Sequence, residues 1–152
     1  MVAAEDKRHT VLVVDDDPDL LQLLTDGLEL LGHFSVVGAE NGIQGLEQFF
    51  EIRPDCMVID VMMPGLDGYQ LMKALRGDPE SAATPLIMLT ALDQDKNRFA
   101  GLASGADHYL IKPVTPRKLV KSVQQAIAMS AGERSQRLQV LAQESGELVL
   151  EE

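Results

Sequence analysis

Strand-like and helix-like patterns alternate five times between residues 10 and 129, and this alternation is the strongest constraint on the fold. The strand-like segments are short and apolar, as in strands that are covered on both sides. They are predicted at 10–14, 34–38, 56–60, 85–89 and 109–111. Helices are predicted at 18–31, 42–53, 68–76, 94–103 and 116–129. Because repeated βα units form parallel sheets with right-handed crossovers, the sequence predicts an α/β fold.

The first two helices have apolar stripes that are expected to face the sheet. The stripe of the first helix is Leu20, Leu21, Leu24, Leu28 and Leu31. The stripe of the second helix is Ile43, Leu46, Phe49 and Phe50. Gly32 is expected to end the first helix, because glycine is favoured after a helix C-terminus.

Five βα units fit the flavodoxin-like, doubly wound order 2-1-3-4-5, a five-stranded parallel sheet with five helices. In this order, ligands bind beyond the carboxyl ends of the strands, where strands one and three diverge. Asp15 and Asp16 follow strand one, and Asp60 ends strand three. Thr90 and Lys112 follow strands four and five. We therefore expect an acidic cluster, a lone carboxylate, a hydroxyl and an ammonium group to converge at one edge of the sheet.

The chemistry of these groups points to phosphoryl transfer. Crowded carboxylates repel each other unless a cation joins them, and Mg²⁺ prefers oxygen ligands while keeping several waters. Asp15, Asp16 and Asp60 could hold such an ion. A carboxylate beside it can act as a nucleophile towards a phosphoryl group and form an aspartyl phosphate. Lys112 would attract the phosphoryl oxygens, and Thr90 would supply a hydrogen-bond donor.

Each of these residues also has a simpler interpretation. Asp15 and its acidic neighbours precede Pro18 and could be a solvated helix N-terminus, where acids favour the helix dipole. Thr90 could be a helix cap, and Lys112 could belong to a surface turn. Each simpler interpretation is favoured for a residue taken alone. Their coincidence at four strand ends favours one shared site.

The composition limits the partners of the chain. The 152 residues suffice for one domain with a normal core. A net charge of −11 should repel phosphate backbones, and aromatic residues are only 4%, so direct nucleic-acid binding is not expected. No apolar run reaches the roughly 18 residues of a membrane span, and residues 1–10 lack an apolar signal core. We expect a cytoplasmic protein without membrane contact, with Cys56 in the core.

Four segments carry a resemblance to a known family. They are Val11–Asp16, Val58–Gly68, Leu89–Ala91 and Gly105–Pro113. Over about residues 10–129, the chain resembles the response-regulator receiver domains of two-component signalling, which are CheY-like. The resemblance implies a phosphoacceptor without turnover on other substrates, apart from its own phosphorylation and slow dephosphorylation.

The resemblance also implies roles for single residues. Asp60 would accept a phosphoryl group from a histidine kinase or phosphotransfer protein. Asp16, Asp60 and the backbone carbonyl of Met62 would ligate Mg²⁺, with Asp15 acting mainly through water. Thr90 and Tyr109 would be the switch pair, in which Tyr109 turns inward after phosphorylation.

The hydrolysis rate of the aspartyl phosphate is a further expectation from the family. Met62 and Leu92 lie two residues beyond Asp60 and Thr90, at positions that face the attacking water in receiver domains. Neither side chain can hydrogen-bond a water, and both can obstruct it. We therefore expect a long-lived aspartyl phosphate. The alternative is that both side chains pack against loops and that hydrolysis is controlled elsewhere.

A downstream protein is expected to bind the face formed by the fourth helix, the fifth strand and the fifth helix. Its basic residues are His108, Arg117, Lys118 and Lys121. They would suit an acidic partner, although a solvated helix face is the simpler interpretation. A homodimer is possible, but Lys118 replaces the acid that OmpR-like regulators use in their charge-paired dimer.

The alternative function is an aspartate-nucleophile phosphohydrolase that uses Asp15. The run from Asp15 to Asp17 resembles the Asp-x-Asp of haloacid-dehalogenase-like enzymes. The second acidic pair of that class is missing, and Asp60 would have no role. Turnover of a small phosphate ester that is lost in Asp15→Ala and kept in Asp60→Ala would favour this alternative.

The chain is expected to have three parts. Residues 1–9 would be a flexible arm, 10–129 the receiver domain, and 130–152 a C-terminal extension. Leu138 and Leu141 could lie on one side of a short helix over residues 130–143. That helix would dock on the fifth helix or pair two chains. A mobile tail is an equally favoured alternative.

Overall fold

The computed structural model of this chain describes residues 8–91 and 105–129. The strands are β1 (Thr10–Val14), β2 (Ser35–Ala39), β3 (Cys56–Asp60), β4 (Leu86–Thr90) and β5 (His108–Ile111). The helices are α1 (Pro18–Gly32), α2 (Gly42–Ile52), α3 (Gly68–Gly77) and α4 (Pro116–Ala128). Every strand boundary lies within one residue of its prediction. The predicted helix 94–103, Leu92 and the extension 130–152 lie outside the described residues.

The five strands form one parallel sheet in the order β2-β1-β3-β4-β5, which confirms the predicted topology. Strand β1 lies between β2 and β3, so that Leu12 is paired with Val37 on one side and Met57 on the other. The chain leaves β1 towards one edge of the sheet and later returns to β3 on the other side. This reversal leaves a crevice beyond the carboxyl ends of β1 and β3.

Apolar side chains fill both sides of the sheet, because successive strand residues point to opposite faces. On one face, Val11, Val13 and Val58 pack with α1 and α4. On the other face, Leu12 and Met57 pack with α2 and α3. All residues of β3 and β4 are buried, which accounts for their continuous apolar runs. Cys56 is buried in this core, as predicted.

The ends of α1 and α2 depart from the expected patterns. The C-cap residue of α1 is His33, which has the left-handed conformation at φ 57°. Gly32 is therefore the last residue of the helix, and His33 rather than Gly32 terminates it. Leu31 is 51% exposed, because the last turn meets the core through Gly32, where a Cβ would crowd Phe34. Ile43 is 61% exposed and lines an open cavity. The inward orientation predicted for Leu31 and Ile43 is therefore wrong.

A buried ion pair lies at the amino ends of β4 and β5, opposite the crevice. Arg76 of α3 contacts Asp107 at 3.2 Å, and Asp107 is fully buried. The Asp107 carboxylate also accepts a hydrogen bond from the Leu86 amide at 2.8 Å. The guanidinium donates three more bonds, to the carbonyl oxygens of Ala82, Thr84 and Gly105. This Arg76–Asp107 pair therefore joins α3 to the starts of both strands.

The strand ladder begins slightly before β1. The Ser35 amide donates to the carbonyl oxygen of His9 at 3.0 Å, so this residue of the expected arm is bound to the sheet. Within residues 8–91 and 105–129, no helix is long and apolar enough to cross a membrane.

Candidate functional site

Three carboxylates and one ammonium group meet in the crevice beyond β1 and β3. Asp15, Asp16 and Asp60 each offer an oxygen atom, and these atoms lie within 4.8 Å of one another. The Nζ atom of Lys112, which follows β5, lies 2.8 Å from Asp60 Oδ1 and 3.9 Å from Asp15 Oδ2. The structure thus brings together four of the residues that the sequence placed at strand ends.

The carboxyl group of Asp15 is buried and only partly satisfied. Its Oδ1 atom accepts a hydrogen bond from the Asp17 amide at 2.9 Å. Its Oδ2 atom is buried and accepts no hydrogen bond from the described residues. Burial raises the pKa of Asp15 to about 6, and the charge of Asp60 adds to this effect, while the Asp17 amide and Lys112 oppose it. Ionised Asp15 is therefore held in an unfavourable environment.

Asp60 is only 3% exposed and has direct polar contacts. Burial raises its pKa, and this effect is opposed by the hydrogen bond from Lys112 and by the backbone N–H of Met62. Asp16 is the exposed member of the cluster. A buried oxygen without a donor, beside two more carboxylates, is the environment that a hard divalent cation would relieve. The residues present therefore fit a magnesium site.

Asp17, the third acid of the run, has a different role. It is the N-cap of α1, and its side chain accepts hydrogen bonds from the amides of Asp19 and Leu20. The helix-terminus interpretation of the acidic run is therefore correct for Asp17. Asp15 and Asp16 instead belong to the cluster.

The turn after β3 depends on two glycines. Gly65 has a φ of 76°, a conformation that most side chains disfavour. Gly68 begins α3 so close to the end of β3 that a Cβ would collide with the carbonyl oxygen of Asp60. The Gly68 amide also donates to the Val61 carbonyl oxygen at 3.0 Å. The turn leaves the Met62 side chain 48% exposed.

Thr90 and Tyr109 lie on neighbouring strands. Thr90 ends β4 and is fully buried, and its carbonyl oxygen accepts a hydrogen bond from the Lys112 amide at 2.8 Å. Tyr109 is paired with Met88, so it shares a sheet face with Thr90, two residues further on. The Tyr109 ring packs against the core under α2 and α3, and its hydroxyl oxygen is buried.

The sequence did not predict the apolar groove beside the site. This groove is lined by Leu20, Leu23, Leu24, Leu89, Pro113 and Val114, with Asp17 and Lys112 at its polar side. Leu23 is 52% exposed within it. Leu20 and Leu24 belong to the predicted apolar stripe of α1, whereas Leu23 does not, and a helical stripe alone does not show which of its residues line a groove. The Lys112–Pro113 peptide bond beside the groove is cis.

The sequence matches the response regulator receiver domain family over residues 11–124. This chain belongs to that family. Its receiver fold carries the acidic cluster and Lys112 at the strand ends, as the resemblance implied. The chain is therefore a two-component response regulator domain, and the phosphohydrolase alternative is not favoured.

Individual relatives support the same assignment. Protein PilH of Pseudomonas aeruginosa is 39% identical over 118 residues, which cover 78% of this chain and 97% of PilH. The probable transcriptional regulator ycf27 of Guillardia theta is 40% identical over 112 residues, 74% of this chain and 42% of that protein. The chain thus matches nearly all of one relative and less than half of the other.

A solved structure adds information on the metal. The receiver domain of the sensor histidine kinase PA1611 from Pseudomonas aeruginosa PAO1 contains a magnesium ion in its active-site cleft. It superposes with a TM-score of 0.73 and 28% sequence identity, covering 81% of this chain and all of that chain.

Proposed function

We propose that Asp60 accepts a phosphoryl group from a histidine kinase or phosphotransfer protein. The observation that carries this proposal is the position of Asp60 Oδ1, 2.8 Å from Lys112 Nζ and within the three-carboxylate cluster. A carboxylate oxygen would attack phosphorus, an O–P bond would form, and the P–N bond to the donor imidazole would break. The imidazole leaves with the electron pair of that bond.

The residues around Asp60 would position and neutralise charge, which is the main work in phosphoryl transfer. Lys112 would contact the phosphoryl oxygens once the Asp60 oxygen is used in the new bond. Thr90 would donate from β4. Asp15, Asp16, Asp60 and the carbonyl of Met62 would hold Mg²⁺. Bound there, Mg²⁺ would supply positive charge to the incoming phosphoryl oxygens.

We propose that the phosphodonor protein binds the apolar groove beside Lys112. Exposed apolar surface next to a charged site is typical of a protein contact. Leu23 lines this groove and is 52% exposed, whereas Leu30 is 76% exposed on the last turns of α1 and does not line it.

Two matched variants test this proposed binding site. The reaction measured is phosphoryl transfer to the chain from a phosphorylated histidine kinase core that phosphorylates the wild type. Leu23→Glu should slow that transfer at least roughly tenfold by placing a charge in the contact, while labelling by acetyl phosphate stays unchanged. Leu30→Glu should slow neither reaction. Equal slowing by the two variants would assign the contact elsewhere.

The proposed readout couples Thr90 and Tyr109 to the downstream face. A phosphoryl group would draw the Thr90 side chain towards it and bias Tyr109 towards its inward position. The output surface would include β5 and α4, with His108, Arg117, Lys118 and Lys121. Unchanged amide shifts of β5 and α4 after phosphorylation would contradict this readout.

Intact mass tests the phosphoacceptor itself. Incubation with acetyl phosphate and Mg²⁺ should add the mass of one phosphoryl group to the wild type. Asp60→Asn should abolish the gain, and Asp16→Ala should reduce it by removing a metal ligand. Asp26→Asn, an exposed acid on α1, is the control and should react as the wild type. A full gain in Asp60→Asn would overturn the assignment.

A further inference from the structure

Helix α4 has a strongly basic exposed side in an otherwise acidic chain. Arg117, Lys118 and Lys121 are all exposed, and no acidic residue occurs in Pro116–Ala128. We call these three residues the basic face. The ion pairs among residues 8–91 and 105–129 lie elsewhere, so no described carboxylate pairs with the basic face. Among the described residues, the positive charge of this face is therefore not neutralised by an ion pair.

The sequence supplies an acidic ligand for this face at its own C-terminal end. Residues 144–152 contain Glu144, Glu147, Glu151 and Glu152 and no lysine or arginine. We call this stretch the acidic segment. Its charge is opposite to that of the basic face.

The chain between them is long enough to join them. Helix α4 ends at Ala128, and the basic face lies about 7–11 residues earlier, roughly 10–17 Å back along a helix that rises about 1.5 Å per residue. Residues 130–143 span about 21 Å even if fully helical, and more if extended. A chain that reverses after Met129 can therefore return the acidic segment to the basic face.

We propose that the acidic segment 144–152 binds the basic face of α4 in the same chain. Single exposed ion pairs are weak, but several pairs on one short tether act at a roughly millimolar effective concentration. The contact is therefore reversible and salt-sensitive, and an acidic protein partner would have to displace it. Phosphorylation is not required for it, so this proposal is independent of the role of Asp60.

Zero-length carbodiimide coupling of the 152-residue chain tests the contact, because the reagent joins only amines and carboxylates that are in direct contact. Peptide mapping should find Lys118 or Lys121 joined to glutamates of the acidic segment. Lys73, exposed on α3 across the sheet, is the internal control. Coupling to the basic face should exceed coupling to Lys73 roughly tenfold and fall severalfold at about 1 M NaCl.

A mixture of ¹⁴N- and ¹⁵N-labelled chains distinguishes the possible occupants of the basic face. Cross-links within one isotopic form support the proposal. Mixed-isotope cross-links would overturn it in favour of a second copy of the chain. Equal coupling at Lys73, or no coupling to α4, would overturn it in favour of a solvated face.

A charge-matched pair of variants completes the test. The quadruple change Glu144→Gln, Glu147→Gln, Glu151→Gln and Glu152→Gln should shift the amide resonances of α4 and remove their salt dependence. The control changes four exposed glutamates elsewhere and alters net charge equally: Glu29→Gln, Glu40→Gln, Glu47→Gln and Glu51→Gln. The control should leave the α4 resonances in place. Identical α4 spectra of wild type and quadruple variant would contradict the contact.

Discussion

Asp107 and Asp15 are both fully buried aspartates at the ends of one parallel sheet, yet their surroundings are opposite. Asp107 lies at the amino ends of the strands, with Arg76 at 3.2 Å and the Leu86 amide at 2.8 Å. Asp15 lies at the carboxyl ends, next to two more carboxylates and 3.9 Å from the ammonium group of Lys112. The negative charge of Asp107 is therefore balanced by a close cation and a hydrogen-bond donor, whereas that of Asp15 lies among other negative charges.

The difference shows how the two ends divide stability and function. The Arg76–Asp107 pair satisfies its own charge and four backbone groups, so it contributes to a defined register of β4 and β5. The acidic cluster keeps a buried oxygen without a donor, which raises the pKa of Asp15 to about 6. Such a site stores unfavourable electrostatic free energy that a bound cation can release.

The largest effect on stability is expected from removing the Arg76–Asp107 ion pair at the amino ends of the strands. Arg76→Met should lower the free energy of unfolding by about 3–5 kcal/mol, because it leaves Asp107 buried without its cation. Urea denaturation would measure the change. Lys73→Met, an exposed change on the same helix, should stay within about 0.5 kcal/mol of the wild type. Equal stabilities of the Arg76 and Lys73 variants would show that the pair does not stabilise the fold.

An opposite and smaller effect is expected at the acidic end. The raised pKa of Asp15 means that the folded state gains stability from its proton below the ordinary value of 3.8 and loses it as the pH rises through about 6. Asp15→Asn should therefore raise the free energy of unfolding by roughly 1–3 kcal/mol at about pH 8 without Mg²⁺.

That gain should disappear towards about pH 4, where Asp15 is protonated in the wild-type fold as well. Asp107→Asn is the matched change at the other end and should lower stability at both pH values, because Arg76 loses its anion. A gain in Asp107→Asn, or a pH-independent gain in Asp15→Asn, would show that the two ends do not differ in this way.

The smallest effect concerns the hydrolysis of the aspartyl phosphate at the acidic end, where the Met62 side chain is 48% exposed. If Met62 and Leu92 obstruct the hydrolytic water, the aspartyl phosphate of the wild type should decay slowly after the donor is removed. The double change Met62→Asn and Leu92→Glu should speed decay at least roughly tenfold by orienting water. If the aspartyl phosphate of the wild type decays fast, or if that of the double mutant decays no faster, other groups control its hydrolysis.

The two ends also differ in how well the sequence predicts them. Strand ends carry Asp15, Asp16, Asp60 and Lys112 to a common edge once the order 2-1-3-4-5 is known. This follows from local apolar runs and a general rule of parallel sheets, so the cluster could be predicted residue by residue.

The Arg76–Asp107 pair could not be predicted in this way. Its partners are 31 residues apart, and neither belongs to a periodic pattern. An arginine in the last turn of a helix is typical of a solvated helix terminus. Only the packing of α3 against the loop before β4 brings it to Asp107.

The apolar stripes predicted where helices form better than they predicted which of their apolar side chains are buried. Leu24 and Leu28 are buried as expected, whereas Leu31 and Ile43 are largely exposed. Both exceptions lie in terminal turns, where the helix extends beyond its neighbours or lines a groove. Periodicity reports the direction of a side chain but not whether another element covers it.

The path of α4 has a consequence for how this domain can be joined to other sequences. The helix starts near Lys112, and it ends at Ala128, which shares a groove with His9 beside the start of β1. Both ends of the described domain therefore emerge on the side of the sheet remote from the acidic crevice. A fusion partner, a linker or an immobilising tag attached at either end leaves the crevice accessible.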